Sequence, residues 1–385
     1  MIAAAGESPA KATSVLDRLL TDSCKKATVL LGEDGHHGSG KTLAVKVELV
    51  ERLVNECGFN AVYFESSIYD FIDLQRQLDH RSASPEMLAD AIGGLWSTTR
   101  EIDPLIAFLY EKANTGKVYL AGLDPQLGSA TSVYTKSALP EELGAFLADS
   151  RREQCSTAIK RMTNWSYDDD QQYLDARAEL RDCAIEIQMA IARRGKSKAN
   201  ASAAHMNENF LRHIDLISDD SLNKRDKAMY DNFVWHRSQR PDRARIIVWC
   251  ATVHAAKDVS LLGKDRRSLG SFIHSLQKNK AATIGFTALG GSYGRNKQIT
   301  NALEPAASDS LESRAFEGTK DDIVYLDHEQ LNALDTISAR ALDYAKPMTT
   351  DWAELVDGMI VLRNEQQPHF VRSARPQQAT HGKER

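Results

Sequence analysis

Glu33, His36 and His37 fall within one glycine-rich turn near the start of the chain, and Glu65 follows one helix and one strand later. Imidazole and carboxylate groups gathered this way suit proton transfer. A histidine of unperturbed pKa about 6.5 can take a proton from water near neutral pH. A carboxylate beside it holds the ring's tautomer and stabilises the imidazolium formed in the step. No Ser is placed at a strand-to-helix nucleophile elbow and no Cys is so placed, which argues against a covalent acyl-enzyme. Neighbouring imidazoles and carboxylates also suit zinc or manganese. Adjacent histidines point apart on most backbones, however, so the expectation is a site without metal or other cofactor.

The elements that must position these groups are readable from periodicity. Residues 27–31 form an apolar, β-branched run of the kind that makes a buried strand, and it empties into the polar turn. From Thr42 onward Leu43, Val47, Val50, Leu53 and Val54 recur at helical spacing until Cys57-Gly58 stops them. A second strand, 60–64, ends on Glu65, and a third, 118–121, runs into Gly122-Leu123-Asp124-Pro125. Successive strand ends thus deliver carboxylates and imidazoles to one rim, where α/β sheets bind ligands. From 140 to 239 strand signals vanish and long helical patterns appear, with a break at 195–202. Strands return at 245–250, 282–289, 323–326 and 359–362, with a helix at 269–277. The expected fold is α/β, a mixed central sheet flanked by helices on both faces, with a helical insertion or cap over the strand ends. The divisions are 14–139 and 241–365 for the two parts of the core, 140–240 for the helical insertion, and 366–385 for a polar tail left without structure.

Composition sets the outer bounds. The chain has 385 residues, 42% hydrophobic and 26% charged, enough for a large core. A formal charge of -5 offers no basic field, so neither nucleic acid nor membrane is expected as a partner. No apolar run approaches the roughly 20 residues that span a bilayer, and the expected location is cytoplasmic. Five cysteines without CxxC spacing read as reduced thiols.

Two chemistries compete for the turn. Gly35-His36-His37-Gly38-Ser39-Gly40-Lys41-Thr42 satisfies G-x-x-x-x-G-K-[ST] between a strand and a helix, the context of a phosphate-cradling loop. Glu65 or Asp124 would then have to hold magnesium. That reading leaves the histidine pair idle.

The other uses it. Gly32-Glu33, His37-Gly38, Lys46, Gly58-Phe59 and Glu65 follow an order that resembles the erythromycin esterase family, whose hallmark is G-E-x-x-H after a strand, a helix with an Arg, then G-F and a strand ending in Glu. Tyr119 to Asp124 looks like the family's F-L-G-I-D strand end. Arg225-Asp-Lys-Ala-Met229 looks like its R-D-x-x-M helix, and residues 246–257 look like its V-V-A-H-N-A-H-x-x-K strand and loop. One residue is added in the turn, so His36 keeps the family's spacing from Glu33 while His37 keeps its spacing to Lys46 and Glu65. Lys46 replaces an Arg, and Ala251 stands where the family has the first of two histidines, the second being His254.

The resemblance implies hydrolysis of a carboxylic ester or macrolide-type lactone by a water that a histidine deprotonates. His37, with His36 as the alternate, would be the base, and Glu33 or Glu65 its carboxylate. Lys46 would pair with Glu65 or steady charge at the carbonyl oxygen, and His254 would donate to that oxygen. Asp124 and Arg225 are expected at the substrate or in support. The implied partner is a bulky, partly apolar small molecule. Without an imidazole at position 251, a different ester, a different reaction or a binding-only role are the further possibilities.

Overall fold

The structure, a computed structural model, describes residues 9–371 apart from 129–130, 196, 217–221, 242 and 297–298. Eleven strands occur among the described residues. They are β1 (Thr28–Leu31), β2 (Ala61–Ser67), β3 (Tyr119–Asp124), β4 (Ile246–Trp249), β5 (Ala281–Ala288), β6 (Gly291–Asn296), β7 (Ile299–Leu303), β8 (Ile323–Asp327), β9 (Thr336–Ala339), β10 (Met348–Asp351) and β11 (Gly358–Leu362). Seven make the central sheet, in the order β3-β2-β4-β1-β5-β11-β8. Only β8, at one edge, runs antiparallel, against β11. The sheet is therefore mixed, as expected.

Burial on both faces explains the apolar strands. Along β1, Val29 and Leu31 face a core shared with Leu43, Val50 and Leu53 of helix Gly40–Cys57, while Leu30 points the other way toward Met229 and Phe233. The open edge of β3 is closed by side chains. Gln75 Nε2 donates to Leu120 O at 2.9 Å and Asn232 Nδ2 to Leu123 O at 2.7 Å, while His236 Nε2 lies 3.1 Å from Gly122 O. Backbone groups that would otherwise template another strand are thereby occupied.

Helices Asp149–Thr163, Asp170–Arg193 and Lys198–Leu216 build a core of their own, which meets the sheet domain at Ile68, Tyr69 and Ile72. A fourth helix, Leu222–Ser238, packs on β3 and carries Arg225 and Asp226. The expected break at 195–202 is shorter, because helix resumes at Lys198.

Four expectations are corrected. Cys24 pairs with Cys57 and Cys155 with Cys183, leaving Cys250 as the buried free thiol. Spacing in sequence could not reveal partners that meet only when helices pack, with Cα atoms 5.0 and 5.5 Å apart. Glu65 does not end its strand, for β2 continues to Ser67 through a register shift against β3 between Phe64 and Ser67. Two hairpins, β6-β7 and β9-β10, escaped notice because their strands are short and partly exposed. The first residues of the polar tail are ordered. Gln366 O accepts from Gly40 N at 2.7 Å, His369 O from Arg100 N at 2.9 Å, and Val371 N donates to Thr98 O at 2.9 Å. The remainder of the tail, 372–385, lies outside the described residues.

Candidate active site

Parallel strands β1, β4, β2 and β3 point their carboxyl ends at one crevice, and each contributes a polar group there. Glu33 follows β1 and is fully buried. Its Oε1 lies 2.9 Å from His37 Nδ1 and accepts from Trp96 Nε1 at 2.7 Å; its Oε2 is 3.4 Å from Lys46 Nζ. Burial alone would raise the Glu33 carboxyl, but the Lys46 ammonium and His37 hold it below its ordinary value. Burial pushes the Lys46 ammonium down, with Glu33 opposing the shift. That ammonium also sits 4.1 Å from the centre of the Trp249 ring.

The turn itself is bent to make this contact. His37 has φ 55°, a left-handed conformation that a residue with a side chain adopts at a cost of roughly 1–2 kcal/mol. Gly38 lies so close to β6 that an added Cβ would stand 2.5 Å from the carbonyl carbon of Gly294. Arg295, next along, donates to His36 O at 2.6 Å and to Gly35 O at 3.0 Å.

The two candidate histidines part company here. His37 lines a cleft of about 500 Å³, its Nδ1 held by Glu33. His36 does not reach the cleft. Its Nδ1 lies 3.1 Å from Asp34 Oδ2, which raises its pKa, and its ring packs 5.2 Å from that of Tyr293. Among the described residues, Asp34, His36 and Asp343 form the group of carboxylate and imidazole atoms close enough to share one cation. Asp34 already accepts from Tyr344 N at 2.7 Å and His36 N at 3.0 Å, so its work in the turn is accounted for.

Across the cleft stands a second charged cluster. Arg225 donates through Nη2 to Asp124 Oδ2 at 2.6 Å and to Glu65 Oε1 at 2.9 Å. Glu65 Oε2 accepts from Ala251 N at 2.9 Å, and its Oε1 lies 3.2 Å from His254 Nε2. His254 Nδ1 in turn lies 2.8 Å from Asp226 Oδ1. Burial would lower the His254 pKa, but Asp226 and Glu65 together push it up to about 10. Glu65 is held well below the usual carboxylate range despite its burial, first by His254 and then by Arg225. His254 is thus an imidazolium between two carboxylates, and both its nitrogens face partners. Arg225 Nη1 lies 3.3 Å from His254 Nε2, where two cations share the Glu65 carboxylate.

All eight predicted residues lie in or beside this region, but the pairings differ from expectation. Lys46 pairs with Glu33 and not with Glu65, because Lys46 sits behind the His37 turn while Glu65 faces the opposite wall. Asp226 and Trp96 were missed. Asp226 adjoins Arg225 in the quoted motif and could have been found there; Trp96 comes from a short helix, Gly94–Ser97, with no local signal.

The phosphate reading finds no support, and Glu365 weighs against it. Its buried carboxylate accepts Lys41 N at 2.8 Å, Thr42 N at 3.3 Å and Thr42 Oγ1 at 2.6 Å. Two backbone donors at the start of the helix are therefore filled by a side chain of the protein itself, and Gly40 N is taken by Gln366 O at 2.7 Å.

Comparison with known proteins bears on the family and the fold. The sequence model described as erythromycin esterase matches residues 54–366. YbfO of Bacillus subtilis strain 168, provisionally named a hydrolase, is 24% identical over 324 residues, covering 75% of this chain and 71% of that protein. Among solved structures, one protein of Bacillus cereus superposes with a TM-score of 0.70 at 17% identity, over 93% of each chain. A point mutant of the erythromycin esterase EreC, in its open conformation, superposes at 0.68 with 14% identity, covering 93% of this chain and 95% of that one.

Proposed function

Since the chain belongs to the erythromycin esterase family, a family of hydrolases, we propose that it opens a carboxylic ester or lactone with a water activated by His37. The observation that carries this reading is the 2.9 Å contact between His37 Nδ1 and the buried Glu33 carboxylate. With the Nδ1 proton held there, Nε2 keeps its lone pair for water, the tautomer a general base requires.

The water gives its proton to Nε2 as its oxygen attacks the carbonyl carbon. Glu33 steadies the imidazolium, and Lys46 keeps Glu33 ionised. The tetrahedral oxyanion meets the positive wall at Arg225, whose Nη1 is not taken by a carboxylate among the described residues. Collapse breaks the bond to the alkoxide, which recovers the proton from His37. His254 holds Glu65, and through it Arg225, in place. Position 251 offers only a methyl group, so the reaction runs on one base. Apolar side chains of Ala91, Ile92, Leu95, Trp96, Leu222 and Val253 also line the cleft, which supports a substrate that is bulky and partly apolar.

The test is a mass-spectrometric screen of macrolide lactones and simpler esters with the purified protein. Addition of one water's mass, lost in His37→Ala and retained in His36→Ala, is the expected result. Hydrolysis that survives His37→Ala overturns the assignment of the base, and no hydrolysis of any ester overturns the reaction.

A further inference from the structure

Helix Asp170–Arg193, 24 residues and about 36 Å long, is buried on one side only. Tyr173, Leu180, Cys183, Ile187 and Ile191 fill the helical core. On the outer side Leu174, Ala178, Ile185, Met189 and Ala192 stand at helical spacing and are exposed, Leu174 at 47%, Ile185 at 41% and Met189 at 48%. A solvated helix face is ordinarily polar, and this stripe is interrupted only by Arg181.

The order of residues along the stripe is self-complementary. A second copy laid antiparallel, about a two-fold axis between Arg181 and Asp182, sets Leu174 against Met189 and Ala178 against Ile185. The same operation brings Arg177 to Glu186, Arg181 to Asp182 and Asp170 to Arg193, each twice by symmetry. No like charges meet between these partners. An isologous interface needs a patch that matches itself in this way. Within the single chain Arg177 and Arg181 already reach Asp215, and Glu186 reaches Arg151 at 2.7 Å. Such half-exposed pairs contribute little and can be shared with a facing copy.

We propose that the protein forms a two-fold dimer through antiparallel packing of helix Asp170–Arg193 against the same helix of a second copy. The apolar stripe supplies the contact, and the flanking charges fix its register. The interface stands clear of the cleft and is independent of the proposed reaction.

Sedimentation velocity on the full chain across the micromolar range tests it. The wild type should sediment as a dimer, and Met189→Arg as a monomer with an unchanged circular dichroism spectrum. Arg177→Glu should raise the dimer dissociation constant at least about tenfold, since it sets like charges face to face. Adding Glu186→Arg should restore it. A monomeric wild type, or a dimer indifferent to Met189→Arg, overturns the proposal; a double reversal no better than Arg177→Glu alone overturns the antiparallel register.

Discussion

Glu33 carries three obligations at once, to His37, Trp96 and Lys46, and nothing in its surroundings replaces it. Glu33→Gln keeps the shape but removes the charge that favours the imidazolium. Its kcat on any ester that the wild type hydrolyses should fall about 10²–10⁴-fold, the range for losing acid–base assistance. Glu33→Ala should cost more in stability as well, about 3–5 kcal/mol by denaturant titration, because it strands a buried ammonium. His37 makes a separate point about strain. Both His37→Ala and His37→Gly should be inactive, yet the glycine variant should be the more stable by about 1 kcal/mol, since glycine adopts the left-handed turn freely. Equal stabilities would show that the turn is not held in that conformation.

At the scale of elements, the active turn is held from three sides by segments remote in sequence: the β6 strand at Gly294, the C-terminal segment at Gln366, and the buried Glu365 at the start of helix Gly40–Cys57. Gly38→Ala should therefore lower activity by displacing β6 and Arg295, although neither need touch substrate. Because Glu365 occupies the helix N-terminus, Mg-ATP and Mg-GTP should give no thermal shift, and Lys41→Ala should leave hydrolysis unchanged. A nucleotide-dependent shift lost in Lys41→Ala would return the turn to phosphate.

For the molecule as a whole, the charged cluster makes stability depend on pH on both sides. Glu65 is depressed on folding, so its contribution is full above the unfolded carboxylate value near 4.3 and is lost as pH falls through the lower folded value. His254 is raised, so its contribution is full below about 6.5 and is lost as pH rises through about 10. Melting temperature should accordingly fall between pH 7 and 10, and the fall should be shallower in His254→Asn. The two disulfides close loops with sequence separations of 33 and 28, each worth about 3.6 kcal/mol, so reductant should lower the melting temperature. No described helix is long and apolar enough to cross a membrane.

In sequence alone, periodicity and strand-end chemistry placed β1, β2, β3 and β4 and set Glu33, Glu65 and Asp124 toward one rim, while the ordered motifs, His254 among them, resembled the family. These are local properties: an apolar run buries itself, and the polar residues after it fall near the sheet's end. Tertiary structure alone decided which charge meets which. That Lys46 answers Glu33, that Arg225 joins Asp124 to Glu65, that His254 is fixed between Asp226 and Glu65, and that Glu365 fills the phosphate-like turn from 324 residues away are consequences of packing. A buried charge must find an opposite charge or a donor within a few ångströms, and the fold, not the spacing along the chain, determines which one is there.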